Sequence, residues 1–426
     1  MNGSLLFTRT LCKHFFFFSF YVKILFMCEL RVKNFGPISE GLENDEFLKI
    51  SQLTVFIGNQ GTGKSTVAKL FSSFSWVEKN LYKKGVSDFA LSTTKFFNNL
   101  LKFHKIDAYL KKNTEIEYIG DFLKISYSDG ALKAEVINNY DYILPKIQYI
   151  PAERNLLSVV DKYAQISYLP DSLKDFIYIY DIAVQSDCIQ GMELPINNLK
   201  IRYNKRKHKV ELFNADYSIL LSEASSGLQS FVPFFVVIKF LSDEVFAKST
   251  LQSFKNLEER QRAASLYEKM NKTSVASDSE LLTFAEENSK RLFNSCVLTI
   301  LEEPEQNLFP SSQKDVVLSL LANANISNNN KLLLTTHSPY ILPYINSAIK
   351  ANELASKDEK IKDNICKIIP SESFIDSNSV NVYEFSDGHI VELKKKRGIS
   401  SDENLLNEKL EETNELFMNI LKAGAL

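Results

Sequence analysis

Leu53-Thr54-Val55-Phe56-Ile57 runs straight into Gly58-Asn59-Gln60-Gly61-Thr62-Gly63-Lys64-Ser65-Thr66. The first five residues are apolar and β-branched or aromatic, which reads as a short buried strand. After Thr66, Val67, Ala68, Leu70, Phe71 and Phe74 recur at helical spacing. Strand, glycine-rich loop, Lys-Ser and helix, in that order, are the context of a phosphate-binding loop, or P-loop. Gly58, Gly61 and Gly63 let the backbone curl so that successive N–H groups point inward at phosphate oxygens. The helix start adds partial positive charge, worth about 0.3–1 kcal/mol per anion contact. Lys64 is placed to reach the β- and γ-phosphates, and Ser65 to offer a hydroxyl to Mg²⁺. With glycine at about 7% usage, random chains of this length match the pattern only roughly once or twice per hundred. The loop alone does not choose among kinases, GTPases and ATPases.

Working outward, Leu30-Arg31-Val32-Lys33-Asn34-Phe35 alternates like a strand and is broken by Gly36-Pro37. Val297-Leu298-Thr299-Ile300-Leu301 has the near-continuous apolarity of a buried parallel strand and ends in Glu302-Glu303-Pro304-Glu305. Acids past the C-terminal end of such a strand sit where open α/β sheets place ligands. Glu302 is the candidate metal partner and Glu303 the candidate base for an attacking water. Lys331-Leu332-Leu333-Leu334-Thr335-Thr336 is a further strand, ending in His337-Ser338-Pro339. Ser222-Glu223-Ala224-Ser225-Ser226-Gly227-Leu228-Gln229 precedes an apolar helix from Phe231 to Leu241. Small residues at a helix start make either an ordinary cap or an anion site.

In this order, the motifs resemble the soluble branch of the ABC-type ATPase superfamily: recombination-repair, SMC-like and OLD-like ATPases. Gly58–Thr66 matches its Walker A loop, with Gly58, Asn59, Gln60, Gly61, Thr62, Gly63, Lys64, Ser65 and Thr66 as nucleotide contacts. Ala224–Gln229 resembles the signature sequence, with Ala224 in place of Leu and Leu228 in place of Glu, and supplies Ser225, Ser226 and Gly227. Val297–Pro304 resembles Walker B with its catalytic Glu303, Glu305–Pro310 the D-loop, and His337 the switch histidine. Gln148, in Ile147-Gln148-Tyr149-Ile150-Pro151, is similar to the Q-loop glutamine. Glu302 stands where many members have Asp. The resemblance implies an α/β P-loop ATPase head, with a mixed or parallel sheet flanked by helices. It also implies ATP and Mg²⁺ as cofactors, with Ser65, Glu302 and Gln148 around the metal and Glu303, His337 and Gln148 in catalysis. It implies a head-to-tail homodimer, or higher homo-oligomer, in which one copy's P-loop faces the other's signature. Anti-phage defence ATPases of the Septu, PARIS and retron-associated kinds have similar size and motif order and pair with a separate effector, a nuclease or toxin. DNA repair is a related expectation. An ATPase subunit of a membrane transporter and a non-hydrolysing nucleotide-gated module are the alternatives.

The remainder bounds these readings. The chain has 426 residues, with 50 Lys+Arg against 52 Asp+Glu. Near-neutral charge excludes a globally basic nucleic-acid binder, so any such surface is local. Five cysteines without a CxxC pair predict neither a disulfide framework nor a zinc site and fit a reducing cytoplasm. Residues 1–26, with Phe15-Phe16-Phe17-Phe18, resemble a signal peptide in part, but Lys23 interrupts the run and no small-residue cleavage site follows. Translation from Met27 is the expectation, and no membrane segment is expected. Insertions are expected at about 78–115 (helical), 156–220 and 252–292. The last has no sustained heptad, so no long coiled coil. A hairpin of Leu199–Tyr203 and Val210–Phe213 carries the basic tip Asn204–Lys209; this tip and Lys394-Lys395-Lys396-Arg397 are either solvated or contact DNA or RNA phosphates. The tail, 380–426, reads as a hairpin around Asp387-Gly388 and then an amphipathic helix expected to pack on the core. No catalytic centre beyond the nucleotide site is evident, and no TOPRIM-like acid set follows residue 345.

Overall fold

The computed structural model describes residues 28–84, 94–137, 142–160, 163, 166, 168–245 and 294–424. The expectations for 1–26 and 252–292 lie outside these residues. Along the chain run β1 (Cys28–Phe35), β2 (Gly41–Leu42), β3 (Leu48–Lys49), β4 (Leu53–Gly58) and helix α1 (Lys64–Lys84). Next come α2 (Thr94–Phe103), β5 (Leu110–Gly120), β6 (Leu123–Ser128), β7 (Ala131–Val136), β8 (Pro145–Ile150), α3 (Leu156–Val159) and α4 (Asp171–Gln185). Strands β9 (Met192–Glu193), β10 (Lys200–Asn204), β11 (Lys209–Phe213) and β12 (Ser218–Leu220) precede α5, described over residues 226–245. The last part holds β13 (Cys296–Glu302), α6 (Pro310–Ala324), β14 (Lys331–Thr336), α7 (Ile341–Ala355), α8 (Glu359–Cys366), β15 (Val380–Ser386), β16 (His389–Glu392) and α9 (Leu405–Gly424).

The central sheet has the order β2-β16-β15-β4-β14-β13-β8. Strands β15, β4, β14, β13 and β8 are mutually parallel, and β16 closes one side antiparallel to β15. The P-loop strand β4 lies between β14 and β15, so the loop, Glu302 and His337 all leave the same edge of the sheet. Side chains alternate across it. Phe56, Leu298, Ile300 and Leu333 join one core with α1 and the antiparallel sheet β3-β1-β5-β6-β7. Val55, Ile57, Leu301, Leu332 and Leu334 join the other with α4, α5, α6 and α7. Both faces are covered, which is why these strands read as continuous apolar runs.

Helix α1 buries Val67, Ala68, Leu70, Phe71, Phe74, Val77 and Leu81 along one stripe. Each large side chain contributes roughly 1.5–3 kcal/mol relative to exposure, against propensity differences below about 1 kcal/mol per residue. Packing therefore sets the direction in which the P-loop enters its helix. Glu78 is the polar exception, buried where it accepts from Tyr118 Oη (2.7 Å) and the N–H groups of Phe122 (2.7 Å) and Leu123 (3.1 Å).

Where described, the 78–115 segment is helical in the end of α1 and in α2, up to Leu110, where β5 starts and pairs with β1. One expectation needs correction. The C-terminal helix does not lie along the core. Only its first turn is partly covered, with Leu406 against the core, while Leu410, Leu416, Phe417, Ile420 and Leu421 are exposed. The hairpins at 199–213 and around Asp387-Gly388 form as expected.

Candidate nucleotide site

The loop between β4 and α1 needs its glycines. Gly58, Gly61 and Gly63 have φ of 138°, 75° and 104°. A Cβ on Gly58 would fall 2.3 Å from the Phe385 carbonyl oxygen, and one on Gly63 2.5 Å from Ile38 Cδ1. Thr62 Oγ1 donates to the Asn59 carbonyl at 2.8 Å, and Val67 N–H to the Gly63 carbonyl at 3.0 Å. The N–H groups of residues 61–66 meet no acceptor among the described residues, so the loop presents a row of donors around a helix start. Lys64 is buried, its Nζ donating to the carbonyls of Gly58 (2.9 Å) and Asn59 (2.7 Å). Burial pulls its pKa down to about 8, against the pull of Glu303, Glu305 and Glu302.

His337, at the end of β14, joins the loop to the acids. Its Nδ1 lies 3.4 Å from Lys64 Nζ and its Nε2 3.5 Å from Glu303 Oε1. With Nδ1 accepting from the ammonium, the ring proton belongs on Nε2, facing the carboxylate. His337 holds the Glu303 carboxyl below the usual range, although partial burial opposes it. Glu303 itself is in the left-handed region (φ 44°), a strained backbone that persists only where its surroundings fix it. Its N–H donates to the Thr335 carbonyl (2.9 Å), and its carbonyl accepts from Arg154 Nη2 (2.6 Å).

Glu302 is buried at the last position of β13 and accepts from the Tyr149 hydroxyl. The Tyr149 hydroxyl is held well above its ordinary pKa by burial and by Glu302. Glu305 turns back under the switch loop, Oε1 accepting from Thr336 Oγ1 (2.7 Å), His337 N–H (2.8 Å) and Ser338 N–H (3.2 Å). Burial raises its pKa.

Two residues of this arrangement are outside the sequence reading, Tyr149 and Arg154; Glu305 is in it, but only as the start of the D-loop. Arg154 carries a faint signal, a lone guanidinium four residues past the end of β8. It is completely buried and donates to four carbonyls: Glu302 (2.6 Å), Glu303 (2.6 Å), Pro151 (3.1 Å) and Ser230 (3.0 Å). Its guanidinium also lies 4.9 Å from the centre of the Phe234 ring. One side chain thus ties the strained acidic turn to helix α5.

The structure brings Lys64, Glu303 and His337 together, with Glu302 at the adjoining strand end. It does not bring Gln148 to them. Gln148 is fully buried inside β8, in register with Thr299 and so three residues short of Glu302. Its Nε2 donates to the Tyr149 carbonyl (3.0 Å). It thus lies mid-strand, on the face opposite Tyr149. Ser225 and Ser226 are exposed at the start of α5, and no hydrogen bond among the described residues joins 222–230 to the P-loop. Gly227 packs instead on the turn after Glu305, where a Cβ would come 2.7 Å from the Asn307 carbonyl oxygen, and Asn307 Nδ2 donates to Ser230 Oγ (3.0 Å). The basic tips are partly engaged: Lys207 pairs with Glu211 (3.2 Å) and Lys396 with Glu403 (2.6 Å).

Loop, acids and histidine converge on one sheet edge. The fold is an α/β P-loop fold, its central sheet covered on both faces. Among solved structures, an SMC head bound to the C-terminal winged-helix domain of ScpA is similar at 10% identity and TM-score 0.39, over 87% of this chain and 98% of that one. The SMC head domain from Thermotoga maritima matches at 10% identity and TM-score 0.37, over 87% and 99%. A nucleotide-free ATP-binding cassette of an ABC transporter matches at 12% identity and TM-score 0.27, over 87% and 93%. At these scores the likenesses carry no weight of their own; the sheet order and the loop geometry do. No protein-family model matches the chain, and no curated protein sequence is similar to it. Among the described residues, no helix is long and apolar enough to cross a membrane.

The residues fit a Mg²⁺–triphosphate. The donor row of 61–66 and the helix start suit the phosphates. Ser65, in the first turn of α1, and Glu302, at the end of β13, are the oxygen donors suited to a hydrated Mg²⁺.

Proposed function

We propose that the protein binds and hydrolyses ATP. The carrying observation is the contact row Lys64–His337–Glu303, which spans from the phosphate loop to an ionised carboxylate held on a strained turn. Lys64 leaves its two carbonyls for the β- and γ-phosphates, an exchange of neutral acceptors for anionic ones. Mg²⁺, held by Ser65 and Glu302, would offset charge on the phosphate oxygens. Glu303 orients the attacking water and takes its proton, and His337 donates through Nε2 toward the γ-phosphate.

We further propose that Ser225, Ser226 and Gly227 act on the nucleotide of a second copy. They are exposed and separate from their own chain's loop, and a triphosphate carries more charge than one half-site neutralises. Two ATP molecules then join a head-to-tail homodimer, and loss of the γ-phosphate releases it. The motif order supports a sensor or scaffold role in anti-phage defence or DNA repair, with a separate nuclease or toxin as effector and DNA or RNA as a further partner. A non-hydrolysing, nucleotide-gated role has one observation in its favour: the Tyr149 hydroxyl already engages the Glu302 carboxylate. Phosphate release from the purified protein with and without Mg²⁺, alongside its mass in solution with ATP, decides. Turnover with an ATP-dependent dimer supports the proposal, tight binding without turnover supports the gated module, and a monomer that retains no nucleotide refutes both.

A further inference from the structure

A second cavity lies behind the phosphate site, between α1, α2, α4 and β8, with a volume of about 480 Å³. This is within the range of small-molecule pockets. Its walls are aromatic, with Trp76, Phe96 and Phe103, and its polar groups are cationic, with Lys79, Lys83 and Lys146 against the single carboxylate of Asp175. Two polar side chains in the wall are buried without partners. His104 is only 3% exposed and neither ring nitrogen has a hydrogen bond; Ser73 is likewise 3% exposed with an unpartnered Oγ. Buried unpaired groups of this kind carry a desolvation cost with nothing to offset it and are rare in native interiors. Two facing one cavity is what a site shaped for a polar ligand shows.

The charge has the same sense. Burial, with Lys83 and Lys146, brings Lys79 down to about 7, and among the described residues its Nζ donates only to the neutral Asn294 Oδ1, at 2.8 Å. Burial likewise holds His104 neutral, its pKa down to about 3, so the ring offers one N–H and one lone pair. An anionic group among the lysines relieves their mutual repulsion, and a planar ring is accommodated by Trp76 and the two phenylalanines.

We propose that this cavity is a regulatory site for a small aromatic anion: a planar ring carrying a phosphate, sulfonate or carboxylate. Its effect reaches the nucleotide site through Tyr149. The Tyr149 ring lines the cavity and lies edge-on to His104, with centroids 4.6 Å apart, while its hydroxyl donates to Glu302. A ligand hydrogen-bonded to His104 shifts the ring against which Tyr149 packs, and with it the carboxylate next to the nucleotide site. Any such coupling is reciprocal in binding free energy.

Binding in the cavity does not depend on the reading of the phosphate loop, whereas its regulatory effect rests on it, and the test keeps them apart. The full chain carrying Lys64→Ala is titrated with naphthalene-1-sulfonate, with 1-naphthalenemethanol and methanesulfonate as the neutral ring and the bare anion. Trp76 is the only tryptophan and lines the cavity, so its emission, excited at the red edge of indole absorption, reports occupancy; calorimetry gives Kd. Saturable quenching by the sulfonate is expected, with binding at least about tenfold weaker for either half-probe and for Lys83→Glu/Lys146→Glu. If that double variant fails to fold, Lys83→Glu alone, at an exposed position, is expected to weaken binding in the same direction. Absence of saturable quenching, equal affinity for the neutral ring, or unchanged affinity in the folded charge variant overturns the proposal.

Discussion

The edge at the ends of β4, β13 and β14 and the start of α5 are built in opposite ways. At the first, the charged side chains are fixed, while the loop N–H groups of 61–66 stay open among the described residues. Lys64 is held by two carbonyls, Glu303 by Arg154 and Thr335, and the switch loop by Glu305. At the second, Ser225 and Ser226 stand in solvent, and only the backbone beneath them is braced, through Gly227, Gln229 and Ser230. On the proposed dimer, chemistry would be organised within the copy and the clamp left for another.

The sharpest way to break that contrast is at Glu303. Glu303→Gln keeps the size and the hydrogen bonds of the turn but cannot take a proton. Turnover should fall about 10²–10⁴-fold, with ATP still bound and the dimer long-lived by light scattering. Wild-type turnover in this variant would remove the carboxylate from the mechanism. Lys64→Ala comes next: it deletes the charged donor inside the loop, and calorimetry should show ATP affinity weakened by roughly 100-fold or more. Ser226→Arg tests the other half. An added guanidinium at an exposed helix start should leave nucleotide affinity of the single copy within about twofold, because 222–230 does not touch its own loop, yet should lower turnover about tenfold by spoiling the clamp. If affinity falls as much as turnover, the signature acts within its own chain and the half-site contrast is lost.

Much of this was legible. The phosphate loop, the β13 and β14 strands and their terminal residues were readable because a covered parallel strand leaves an unbroken apolar run, and its end is where that run stops. The bracing was not. Arg154 serves four backbone carbonyls, and backbone acceptors leave no trace in a sequence. Gln148 is similar to a Q-loop glutamine by its sequence context alone, and that context does not carry its register, which pairing with β13 sets three residues short of Glu302. The tail misled for a related reason: α9 has an apolar stripe, yet only its first turn meets the core.

Lys64 also sharpens the contrast through pH. Its pKa in the folded chain is about 8, and phosphate needs the protonated form. Below that pH the ammonium is present and ATP affinity is flat. Above it each binding event must take up a proton, so Kd should climb toward roughly tenfold per unit. Calorimetry in buffers of different ionisation enthalpy detects the same proton uptake. A Kd that stays flat through alkaline pH would mean that the loop lysine is fully charged before the phosphate arrives.

The smallest effect concerns the scaffold beneath the phosphate loop. Glu78, on the helix that the phosphate loop enters, has its pKa pushed up to about 8 from 4.5, chiefly by burial; Asp121 adds to this, while the hydrogen bonds from Phe122, Tyr118 and Leu123 oppose it. The folded chain therefore binds more protons than the unfolded chain between those two values. The stabilisation is greatest below the unfolded pKa and is lost as pH rises through the folded one. Glu78→Gln keeps a carbonyl for the Phe122 and Leu123 N–H groups and cannot titrate. Its Tm should vary less than that of the wild type between pH 4.5 and about 8, as scanning calorimetry would show, with ATP affinity unchanged. If the wild type and the variant share one Tm–pH slope, the burial of Glu78 is compensated by its hydrogen bonds, and the helix under the loop is held by apolar packing alone.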